Sequence, residues 1–140
     1  MLFRSAVWRG PPGLVQLNAL AITGESLFKR LSQKSVTLNM MASGSPRFSE
    51  EARQRTAQIT LEAETYSAGV AHVVLLPGLA GLTVRTFLRT VALLSSGTRR
   101  PVKTFSELEP AATWVLQTLA PDTRVGHQEL LDCARTLLAR

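Results

Sequence analysis

Cysteine is all but missing from this chain of 140 residues: Cys133 stands alone, so no intrachain disulfide can form and a disulfide-stapled scaffold is excluded. One leftover thiol fits a reducing compartment. Acidic residues are also scarce, ten against sixteen Lys and Arg, which leaves a net charge of +6. Between Thr65 and Ser106 there is no acid at all. A run long and apolar enough to span a membrane is absent too, because Pro77, Gly78, Gly81, Arg85 and Arg89 break up the most apolar stretch, Val70 to Leu94. Arg4 and Arg9 likewise interrupt the opening residues, which do not read as a secretory signal. A cytoplasmic protein is expected.

What remains is ordinary for a globular domain, with 45% hydrophobic and 19% charged residues. A chain of this size buries roughly two-thirds of the surface that it exposes unfolded, enough for a single core. One domain over residues 1–140 is therefore expected.

Residues Leu2 to Trp8 and Leu14 to Ile22 flank Gly10-Pro-Pro-Gly13, and this pattern predicts an N-terminal hairpin over residues 1–22. Thr23 can cap a short helix over Glu25 to Gln33. Ser35 to Met41 alternates, with Val36, Leu38 and Met40 on one side of a strand. Ser49 before Glu50 and Glu51 is a helix start, and Gly69 should end that helix after Tyr66. The nearly unbroken apolar run Val70 to Leu76 reads as a strand covered on both faces. A third helix should span about Leu79 to Ser96, followed by a strand over Pro101 to Phe105. Helix four carries Leu108, Ala112, Val115 and Leu119 inward. An additional C-terminal helix over residues 121–140 carries Leu130, Leu131, Ala134, Leu137 and Leu138, and should pack within the chain. The expected class is an α/β sandwich with a mainly parallel sheet of about five strands and helices packed on it.

Candidate chemistry is sparse. Arg85, Arg89, Arg99, Arg100 and Lys103 form a basic segment that could dock an acidic partner or an anionic lipid headgroup at the membrane periphery; solvated arginines covering apolar surface are the plainer account. Nucleic acid is disfavoured, since aromatics are few and no RNP, helix-turn-helix or KH pattern occurs. Gly78 and Gly81 follow a strand and open a helix, where backbone N–H groups can hold an anion, though a tight turn explains them equally well. His72 lies mid-strand and reads as an interior residue. His127, Asp132 and Cys133 lack metal-ligand spacing, so no metal or cofactor is expected. Cys133 should be a small buried or half-buried group.

Several segments together resemble the STAS superfamily of sulfate-transporter and anti-sigma-factor-antagonist domains, in particular its divergent bacterial members. They are Leu14-Val-Gln-Leu, Ser35-Val-Thr-Leu-Asn-Met-Met, Ser49-Glu-Glu-Ala-Arg, Val70-Ala-His-Val-Val-Leu-Leu-Pro and Phe87-Leu-Arg-Thr-Val-Ala-Leu-Leu. The closing stretch, Arg100-Pro-Val-Lys-Thr-Phe followed by an Ala-rich helix with Trp114, is the most characteristic. The resemblance covers about residues 5–119. It implies a non-enzymatic interaction module, monomeric or homodimeric, that binds a protein of the anti-sigma-factor or kinase type. It also points to Ser49 as the position that regulatory members phosphorylate, although Phe48 and the two glutamates replace the usual Asp and Ser-Gly around it. A module for an apolar or anionic small ligand is the alternative.

Overall fold

A computed structural model describes residues 1–45, 47–94, 100–121 and 123–140. Four strands form one sheet in the order β1 (Leu2–Trp8), β2 (Ser35–Met41), β3 (Ser67–Val74) and β4 (Val102–Phe105), and every neighbouring pair is parallel. Helices α1 (Leu14–Leu31), α2 (Glu50–Glu62) and α3 (Gly78–Leu94) make the three crossovers. Because strand order follows chain order and crossovers are right-handed, these three lie side by side on one face, with α1 against α2 and α2 against α3. Helices α4 (Leu108–Thr118) and α5 (His127–Ala139) cover the other face.

The expected α/β class with a parallel sheet holds, but the described residues form four strands, and residues 1–22 form a strand and the start of a helix instead of a hairpin. Leu14 to Ile22 is the first half of an 18-residue helix, in which Leu17, Ala21 and Gly24 are buried at helical spacing. The Pro-Pro-Gly segment leads into that helix rather than into a turn. The Gln16 side chain accepts a hydrogen bond from the Gly13 N–H at 3.1 Å, which satisfies one donor at the helix start. Thr23 lies within α1, its hydroxyl donating to the Ala19 carbonyl. Helix α2 stops at Glu62, before Tyr66, because the Tyr66 and Ser67 N–H groups turn back to the Ala63 carbonyl.

One face of the sheet holds the larger core. Val36, Leu38 and Met40 of β2 and Ala71 and Val73 of β3 pack against Ala111, Ala112 and Val115 of α4 and Leu130, Leu131 and Ala134 of α5. The last helix packs within the chain, as expected, and Arg9 ties down its end by donating to the Leu137 and Leu138 carbonyls at 3.2 and 3.0 Å. Among the described residues, no helix is long and apolar enough to cross a membrane.

Candidate functional site

The opposite face of the sheet is different in kind. Register places Arg4, Thr37, Val70 and Val102 in one row across the four strands, and Asn39, His72 and Thr104 in the next row toward their carboxyl ends. Arg4, Thr37, Asn39 and His72 lie under α1, α2 and α3, where they line a half-open cavity of about 80 Å³ whose remaining walls are mostly apolar.

Two guanidinium groups enter the cavity from opposite sides. Arg4 of β1 donates from Nε to the Thr37 hydroxyl at 2.9 Å and from Nη1 to the Leu20 carbonyl at 3.0 Å. Helix α1 passes close over it at Gly24, where a Cβ would lie 2.7 Å from both Arg4 Nη1 and the Tyr66 ring and would push these side chains aside. Arg100, just before β4, is only 8% exposed. Its Nη2 donates to the Thr60 carbonyl at 2.6 Å and its Nη1 to Ser67 Oγ at 3.4 Å. Thr60 lies in the last turn of α2, so this contact satisfies a carbonyl at a helix end and accounts for part of the residue's role. Arg100 Nε has no protein partner.

Tyr66 lies with both arginines, buried, its hydroxyl without a protein partner. Burial pushes its phenol upward, and the charges of Arg4 and Arg100 pull it back down. Burial pulls both guanidinium groups below their ordinary value, yet arginine stays charged. Further along the cavity, Asn39 Oδ1 and His72 Nδ1 are shielded from solvent and also lack protein partners. Burial, and then the charge of Arg100, push His72 down to about 4, so its imidazole is neutral at physiological pH. At the carboxyl end, Phe48 and Phe87 line the cavity with ring centroids 4.8 Å apart.

Among the described residues, none that line this cavity is acidic. Nearby carboxylates are engaged elsewhere: Glu25 pairs with Lys29 at 2.7 Å and Glu62 with Arg55 at 3.1 Å. Glu64, whose charge acts on Arg100, lines an adjoining outer pocket with Lys34, Ser67 and Arg100 itself. The cavity is therefore cationic and offers neutral hydrogen-bonding groups. It can hold an anion, which here would gain charge-assisted bonds in a low-dielectric setting.

The residues singled out in the sequence are dispersed. Arg100 turns inward and leaves the basic surface. Lys103 is exposed on the opposite face of β4, in register with Ala71. Arg85 and Arg89 line a shallow pocket with Thr104, Ser106 and Glu107. Arg99 lies outside the described residues. Ser49 is the N-cap of α2, accepting from the Ala52 N–H at 3.1 Å. Gly78 adopts φ +59°, and Gly81 packs against the Leu76 carbonyl, so backbone geometry accounts for both. Cys133 is exposed, contrary to expectation, because it lies on the outer side of α5 next to Asp132.

Arg4, Asn39 and Tyr66 were not among the sequence candidates. A signal for two of them was present: Ser35, Thr37 and Asn39 alternate with the apolar stripe of β2, and Arg4 with Phe3 in β1. In a sheet covered on both faces, such polar positions must be buried. Comparison with family models, curated proteins and solved structures finds no match to this chain.

Proposed function

We propose that the protein is a binding module for a small anionic organic molecule, held between the sheet and the α1–α3 layer. The observation that carries this reading is the pair of guanidinium groups, Arg4 and Arg100, directed into a largely apolar cavity whose described lining residues include no carboxylate. A buried charge is costly unless it is paired, and a ligand carboxylate would add a partner for Arg4 and share Arg100 with Glu64. Catalytic turnover is not part of the proposal. On this reading the protein works in the cytoplasm, where the exposed Cys133 thiol stays reduced.

Thermal unfolding with benzoate and with its neutral isostere benzamide tests the proposal. A ligand at ten times its Kd stabilises by about 1.4 kcal/mol, which for a chain of this size raises Tm by roughly 5 °C. Benzoate should give such a shift and benzamide should not. Equal shifts, or none, would refute anion binding.

A second reading, the STAS-like partner-binding module, has its own support. Leu79 and Leu82 at the start of α3 are 82% and 51% exposed, and they stand at the same end of the sheet as Ala42, at the end of β2, and Ser49. Replacing both leucines with glutamate should abolish binding of an anti-sigma-factor-type partner while leaving the benzoate shift intact.

A further inference from the structure

The unpartnered groups in the cavity fall into two clusters at different heights along the strands. Around the row of Arg4 and Thr37 stand Tyr66 and Arg100. Asn39 and His72 are in register with each other two residues further on, about 7 Å along the strand. Asn39 is only 6% exposed, and its Oδ1 can do nothing but accept. The neutral His72 can accept or donate at Nδ1, according to tautomer. A hydroxyl can serve both, donating to one while accepting from or donating to the other. An ammonium could also donate, but it would add a third positive charge to a site already holding Arg4 and Arg100.

The rest of the lining is mostly apolar, with Val70, Ile59 and Leu88 among it, so an apolar connecting part of the ligand fits it. Its size is bounded as well. At about 10–15 Å³ per water on this measure, about 80 Å³ has room for roughly six waters, comparable to one substituted six-membered ring. Phe48 and Phe87 at the carboxyl end favour an aromatic ring over an aliphatic chain.

We infer that the cavity takes a monocyclic aromatic acid with a hydroxyl opposite its carboxylate, the carboxylate between Arg4, Tyr66 and Arg100 and the hydroxyl between Asn39 and His72. This rests on the anion-binding reading and adds a polar subsite to it. The selectivity comes from burial: a site that leaves an acceptor unpaired discriminates strongly against a ligand that lacks the donor.

Isothermal titration of the full chain with benzoate, 4-fluorobenzoate, 3-hydroxybenzoate and 4-hydroxybenzoate tests it. The 4-hydroxy acid should bind at least tenfold tighter than benzoate, and the 3-hydroxy isomer and the fluoro analogue should gain no such factor. In Asn39→Leu the 4-hydroxy and unsubstituted acids should bind alike. Should that variant fail to fold, the wild-type series decides by itself. Equal binding of all four acids to the wild type would overturn the hydroxyl subsite and leave the carboxylate site standing. No binding of any acid would overturn both.

Discussion

His72 illustrates how a single side chain reports on the space around it. Its imidazole is held neutral by burial and by Arg100, with its value pushed from 6.5 to about 4. The unfolded chain therefore binds a proton near pH 6.5 that the folded chain refuses until about pH 4. The group's contribution is present above pH 6.5 and is lost as the pH falls toward 4, at most about 3 kcal/mol for a shift of this size. Urea denaturation of the wild type at pH 7 and pH 4.5 should lose more stability than the same pair of measurements on His72→Gln. Identical pH dependence would show that the ring is not shielded in the native state. Sequence reading placed His72 in a strand interior, and that part was legible from the apolar residues on both sides. Its neighbours were not. Arg100 is 28 positions away and Asn39 is 33 positions away, and only strand pairing brings them together.

Among the elements, α1 was read least well. Leu14, Val15, Leu17, Leu20 and Ile22 suit a short apolar strand as well as a helix, and periodicity over so few residues does not separate the two. Topology does. Strand β1 pairs parallel with β2, and a parallel neighbour needs a long crossover, so the intervening residues had to be helical. Helix α3 shows the reverse case, where a short motif was legible but its purpose was not. The glycines at 78 and 81 suited either an anion-binding turn or a tight turn, and a side chain at position 81 would run into the Leu76 carbonyl, which is backbone and cannot yield. Gly81→Ala should therefore destabilise by about 2 kcal/mol or more in denaturant titration, despite alanine's better helix propensity. A neutral or stabilising result would mean that the Leu76–Gly81 approach is looser than described.

At the scale of the whole molecule, the two faces of the sheet divide the work. The α4–α5 face is apolar and tightly filled, and the α1–α3 face carries the polar cavity. Strand order follows chain order without reversal, so the sheet has no topological switch point of the kind at which open α/β folds usually bind ligands. The cavity lies between layers instead. A separable effect follows. Leu131→Ala on α5 should cost about 2–5 kcal/mol of stability, since the side chain is 1% exposed in the larger core. Under native conditions it should leave the Kd for benzoate within twofold. A large change in that Kd would show that the two faces are coupled through the sheet.

The sequence by itself determined the α/β class, the register of apolar residues in β2, the N-cap at Ser49 and the inward stripes of α4 and α5. All of these depend on periodicity and on groups a few residues apart, which local chemistry specifies. Only the tertiary structure decided the number of strands, the helical state of residues 14–22 and the convergence of Arg4, Tyr66 and Arg100. Those depend on which face of each strand is covered and on contacts between residues 34 to 96 positions apart. Local preference has no hold over such distances, and burial on both faces of the sheet turned scattered polar residues into one cationic cavity.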